Sequence, residues 1–71
     1  MGREVIKELD LHRVRHEEVD RLVENFVLLN EPPLKIITGN SDRMSNIVIV
    51  KLSELRIGWE RFTWGQINIL K

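Results

Sequence analysis

Asp10 and His12 stand two residues apart in the run Leu9-Asp10-Leu11-His12. At this spacing a carboxylate and an imidazole share one face of an extended strand, so both can reach the same ligand. Histidine is the residue type whose ordinary titration falls near neutrality, which suits it to general base or acid work. A neighbouring carboxylate orients the ring and raises its basicity. The second group of interest is Thr38-Gly39-Asn40-Ser41, a polar turn between a short apolar run and a helical pattern. The backbone N–H groups of Gly39 and Asn40, with the positive end of a following helix, can receive an anion. Arg13 and Arg43 flank the two segments and supply positive charge.

These parts suit phosphodiester cleavage. His12 serves as base or acid and Asp10 orients it, while Thr38, Gly39, Asn40, Ser41, Arg13 and Arg43 form the phosphate-binding set. On RNA the nucleophile is the neighbouring 2′-hydroxyl; on DNA it has to be water. A plainer account stands beside this one. An Asp-x-His pair ending a strand also serves as a hydrogen-bonded structural element, and Thr-Gly is also an ordinary strand-to-helix turn. One Asp and one His are too few ligands for a closed zinc site, so no metal and no cofactor is assigned.

The elements that must position these groups follow from periodicity. Residues 4–12 alternate over their second half, with Val5, Leu9 and Leu11 on the expected core side, and read as a strand. Over residues 15–30 the period changes. Val19, Leu22, Val23, Phe26, Val27 and Leu29 fall at helical offsets, with Glu17 and Glu18 in the first turn, where negative charge suits the helix dipole. No Ser, Thr or Asp cap precedes this helix. Asn30 is expected to close it in the left-handed conformation, and Pro32-Pro33 forbid its continuation. Leu34-Lys35-Ile36-Ile37 reads as a second strand.

Residues 44–55 carry two conflicting signals. Ile47-Val48-Ile49-Val50 has strand propensity, yet Met44, Ile47, Val48, Lys51, Leu52 and Leu55 make one helical stripe behind a capping Ser41 or Asp42. The stripe spans three turns and outweighs propensity, so a helix ended by Gly58 is predicted, with Ile49 and Val50 as an exposed apolar flank. Residues 59–62 and 66–70 read as a terminal hairpin turning at Trp64-Gly65. The order is β-α-β-α-β-β. Right-handed crossovers place both helices on one face of a four-stranded mixed sheet, an α/β chain in the α+β two-layer sense. His16, Arg21, Lys35, Arg56 and Arg61 read as solvated, Met44 and Trp59 as core. Trp64 is the aromatic best placed to stack on a base.

Composition limits what such a fold can be. Seventy-one residues close one domain, 1–71. A hydrophobic fraction of 42% is ordinary for a globular protein and argues against disorder. There are no cysteines, which excludes disulfides and thiolate metal sites and fits a cytoplasmic protein. No apolar run can span a bilayer and Met1-Gly2-Arg3-Glu4 lacks a secretory core, so a soluble, unprocessed chain with no membrane partner is expected. Eleven basic residues balance eleven acidic ones. Bulk charge therefore cannot drive binding to nucleic acid; local placement must.

Leu9-Asp10-Leu11-His12 resembles the Leu-Asp-x-His signature that opens Smr (small MutS-related) domains, and Thr38-Gly39-Asn40-Ser41 resembles their second signature, Thr-or-His followed by Gly-x-Gly. Gly65-Gln66-Ile67-Asn68-Ile69-Leu70 is similar to their terminal strand. The likeness covers nearly the whole chain. Ser41 stands where the family has its second glycine, and Asn40 where it has a basic residue. The resemblance implies a fold similar to the C-terminal domain of bacterial translation initiation factor three. It also implies action on nucleic acid, RNA ahead of DNA, often on ribosome-associated RNA, as an endonuclease using Asp10 and His12. Two other readings compete with it: a binding module that has lost turnover, and a self-associating protein pairing through Ile49, Val50 or Trp64.

Overall fold

The computed structural model describes residues 6–63 and 65–70. Six elements run in the order β1 (Lys7–Asp10), α1 (His16–Leu29), β2 (Leu34–Ile37), α2 (Asp42–Glu54), β3 (Glu60–Thr63) and β4 (Gln66–Ile69). The strands form one mixed sheet in the order β1-β2-β4-β3. β1 and β2 are parallel with Asp10 opposite Ile37, and β4 is antiparallel to both β2 and β3. The α+β class and the β-α-β-α-β-β order expected from periodicity are the observed ones. No helix among the described residues is long and apolar enough to cross a membrane. Val5 and Trp64 lie outside the described residues.

Alternation along the strands separates two faces. Leu34, Ile36, Ile67 and Ile69 are buried beneath the helices together with Leu11, Val19, Val23, Met44, Val48 and Leu52, a single core of ten side chains. The two helices pack on one another and on the same sheet face, leaving the other face open. Glu8, Asp10, Lys35, Ile37, Gln66 and Asn68 alternate onto that open face.

The conflict at residues 44–55 resolves as a helix for an energetic reason. Four β-branched residues in a helix cost about 2–3 kcal/mol together relative to alanine. Burying Met44, Val48 and Leu52 returns about 1.5–3 kcal/mol each. Ser41 then caps the helix, its hydroxyl accepting from the Met44 N–H at 3.1 Å. Lys51 rides the stripe, its side chain only 11% exposed, because its ammonium meets Asp20 at 3.2 Å and Glu24 at 3.0 Å on α1, with Glu54 at 3.9 Å. Those partners hold the ammonium charged and raise its pKa, Glu24 contributing most.

Several expectations need correcting. Leu29 is 80% exposed. It lies six residues beyond the buried Val23, which turns it about 120° off the core face. Asn30 is extended (φ −132°), not left-handed; its amide instead donates to the Phe26 carbonyl at 2.8 Å, and its carbonyl oxygen accepts from Lys7 Nζ at 3.0 Å. α2 ends before Gly58. Arg56 takes the left-handed conformation (φ 60°), and the N–H groups of Arg56 and Ile57 donate to the Ser53 and Leu52 carbonyls at 3.1 and 2.9 Å. That bonding pattern is a Schellman motif with arginine in the place glycine favours. Val50 is exposed as expected, whereas Ile49 is half-buried against the core, so the exposed flank is narrower than the pattern suggested.

Candidate active site

The parallel pairing of β1 and β2 brings their C-terminal ends to one edge of the sheet, the edge at which open α/β sheets bind ligands. Past Asp10 the chain leaves β1 in a turn closed by the Val14 N–H on the Leu11 carbonyl at 3.0 Å. Leu11 anchors this turn in the core. His12 is thereby thrown outward beside Asp10, and both side chains are about half exposed. One carboxylate oxygen of Asp10 accepts from the His12 backbone N–H at 3.1 Å and lies 2.5 Å from His12 Nδ1.

These interactions set the protonation pattern of the pair. The two hydrogen bonds from His12, side chain first, lower the Asp10 pKa, assisted by the charge of Arg13. Asp10 is therefore ionised at neutral pH and acts as an acceptor only. The neutral imidazole must then carry its proton on Nδ1, which leaves the lone pair of Nε2 free. The arrangement is also an Asx-type turn, so the structural and the chemical roles of Asp10 coexist.

The second loop meets the first at glycine. Gly39 adopts φ +70°, and a side chain there would come 3.4 Å from His12 Cβ. Gly65, from the β3–β4 turn, approaches so closely that a Cβ on it would lie 2.6 Å from the Gly39 carbonyl oxygen. The Gly65 carbonyl in turn accepts from the N–H groups of Thr38 and Gly39 at 2.7 and 3.3 Å. Three backbone segments thus converge behind His12.

This convergence bears on two of the expected phosphate ligands. Thr38 is 1% exposed, and its hydroxyl is paired with Ser45 Oγ of α2 at 3.0 Å, with Gly39 O at 3.3 Å. It is a peg joining β2 to α2, closed off from solvent. The Gly39 N–H, expected to receive a phosphate, is engaged by Gly65. Ser41 is the cap of α2, and Asn40 is exposed at the turn. Asp10, His12, Arg13 and Gly39 therefore form one group.

Arg43 belongs to a second group. It lines a shallow, wide-open cleft with Val14, Arg15, His16 and Glu17, between the starts of α1 and α2. Sequence places Arg15 at a helix boundary and His16 on a helix surface. The missing cap before α1 was the available signal, because a helix beginning there places both residues at the same sheet edge as His12. Trp59 packs half-buried against the core and lines a separate groove with Gly58, Glu60 and Leu70, at the opposite end of the sheet. Among the described residues no three His, Asp or Glu side chains come together as a metal site.

The fold and the site define a two-layer α+β domain with an exposed carboxylate–imidazole pair at the C-terminal edge of its parallel strands. Set against models of known protein families, curated proteins and solved structures, the chain matches none of them.

Proposed function

We propose that the protein is a nucleic-acid-acting domain of the Smr type that cleaves phosphodiester bonds in RNA, with His12 as the proton-transfer group and Asp10 as its orienter. One observation carries the reading. The His12 ring is held by Asp10 through Nδ1, its Cβ lies beside Gly39, and the side chain is about half exposed to solvent. A ring fixed in this way is prepared for general-base work on a ligand lying across the sheet edge. In the proposed reaction Nε2 takes the proton of a ribose 2′-hydroxyl. The 2′-oxygen then attacks the adjacent phosphorus, and the 5′-oxygen departs and acquires a proton. The products are a 2′,3′-cyclic phosphate and a 5′-hydroxyl end. The cysteine-free composition supports a cytoplasmic setting.

The test is end-group analysis of RNA incubated with the purified protein, beside the same oligomer carrying a single 2′-deoxyribose at the cut site. Cyclic phosphate ends that vanish with the deoxy substitution support the scheme. Equal cutting of both oligomers assigns the nucleophile to water and removes the scheme.

A second reading, binding without turnover, has its own observation. Thr38 is buried and the Gly39 N–H is already paired, so part of the expected phosphate cradle is used within the fold. RNA retained on the protein without any cleavage would favour it.

A further inference from the structure

Arg15 and His16 come from the start of α1 and Arg43 from the first turn of α2, yet all three line one cleft. Among the described residues none of them forms an ion pair or a side-chain hydrogen bond. Lys7, Arg21 and Lys51 are tied to side-chain partners, whereas Arg13, Lys35, Arg56 and Arg61 share the unpaired state among the described residues; what sets Arg15, His16 and Arg43 apart is that they line one cleft. Among the described residues Glu17 is the one acidic side chain on the cleft wall, and Asp42 stands in the first turn of α2. Two guanidinium groups and an imidazole with no side-chain partner among the described residues thus lie on one concavity. Planar guanidinium forks match the geometry of phosphate oxygens, and α1 opens here with no side-chain cap, so its first N–H groups add to the same field.

We infer that this cleft is a phosphate subsite that grips the backbone of a single-stranded nucleic acid next to the group held at His12. The inference rests on the nucleic-acid reading above and adds to it the place where the strand is held. Arg15 lies three residues from His12, so the two positions are separated by at most about 11 Å of chain. A strand crossing the sheet edge can therefore engage both. The subsite positions the backbone; it takes no part in proton transfer.

The experiment measures the affinity of a single-stranded RNA oligomer at several salt concentrations for the wild type, for Arg15→Gln with Arg43→Gln, and for Arg56→Gln. Arg56 sits at the other end of α2, so its variant removes a charge without touching the cleft. The paired cleft variant is expected to bind about tenfold more weakly at low salt, with a log–log salt slope shallower by about 0.7 for each phosphate no longer neutralised. Arg56→Gln is expected to bind as the wild type does. Inorganic phosphate added to the free protein should shift the NMR signals of His16 in the wild type and leave them in place in the cleft variant. Unchanged affinity and slope in the cleft variant overturn the subsite while leaving cleavage at His12 standing. An equal loss in Arg56→Gln also overturns it, since net charge then explains the effect. A wild type that binds no RNA removes both readings.

Discussion

A methyl group placed on Gly39 would lie 3.4 Å from the β-carbon of His12. The loop after β2 thus passes beside the base of the His12 side chain. Gly39 is held at φ +70°, a conformation that costs a residue with a β-carbon about 1–2 kcal/mol. Gly39→Ala is expected to lower stability by that amount in urea titrations. The added methyl makes only an ordinary van der Waals contact with His12, so the cleavage rate per folded molecule should stay close to that of the wild type. Gly65→Ala must clash with the Gly39 backbone as well as adopt φ +76°, and is expected to cost about 2–5 kcal/mol. Equal tolerance of alanine at both sites would contradict the packing described.

Thr38 separates support from chemistry. Its hydroxyl pairs with Ser45 inside the fold, so Thr38→Val leaves a buried hydroxyl without its partner and should cost about 1–2 kcal/mol. Thr38→Val with Ser45→Ala should recover part of that loss. The folded protein should retain its rate per molecule. Denaturation midpoints and cleavage rates on the same samples check both parts, and a rate lost in the stable double variant would return Thr38 to the ligand site.

Much of this fold was legible in the sequence. The second strand, residues 34–37, coincides with the apolar run between Pro33 and Gly39, since both neighbours bar regular extension. The second helix was legible because its stripe outlasts any strand that four β-branched residues could make. The helix ends were not. Gly58 attracted the stop signal on residue type, whereas the chain turned at Arg56, where the Leu52 and Ser53 carbonyls were already in reach. At the site, the two-residue spacing put Asp10 beside His12, but by a different route: β1 ends at Asp10, and an Asx-type turn, in place of a shared strand face, brings the imidazole to the carboxylate. The burial of Thr38 and the arrival of Gly65 depend on pairing across 27 positions of sequence, which periodicity cannot carry. Arg15 and His16 stayed hidden because only the pairing of two helix starts makes them neighbours of Arg43.

Arg56 offers a stability gain that leaves the site untouched. Arg56→Gly relieves a left-handed φ, partly offset by a freer unfolded chain, and should stabilise the protein by about 0.5–1 kcal/mol. Gly58 has open space around it and no positive φ, so Gly58→Ala should stabilise by about 0.4–1 kcal/mol through a less free unfolded chain. Thermal melts check both; a loss on Arg56→Gly, or a loss on Gly58→Ala, would contradict the helix terminus.

Two ionisable groups set opposite pH limits on stability. Asp10 has its pKa lowered in the folded state, first by the His12 side chain, so its contribution is present above the unfolded carboxylate value of about 3.9. That contribution is lost as pH falls through the lower folded value. The stability gap between wild type and Asp10→Asn should therefore be constant near neutrality and close below about pH 4. Lys51 has its pKa raised, first by Glu24, so its contribution is complete below about pH 10.4 and is lost as pH rises through the folded value. Lys51→Met should be destabilised at neutral pH, where Asp20, Glu24 and Glu54 face one another without their cation, and less so in acid. Urea midpoints across pH read both, and a Lys51→Met gap that widens in acid would contradict the ion-pair account.

The most direct measurement is the rate at which purified wild type, Asp10→Asn and His12→Ala cleave a single-stranded RNA, with circular dichroism confirming that all three are folded. Both side chains are about half exposed, so the variants are expected to fold. Loss of the imidazole should slow cleavage by about 10²–10⁴-fold, and loss of the carboxylate by less, because Nε2 remains in place. A His12→Ala protein that cuts as fast as the wild type would contradict the account at its centre.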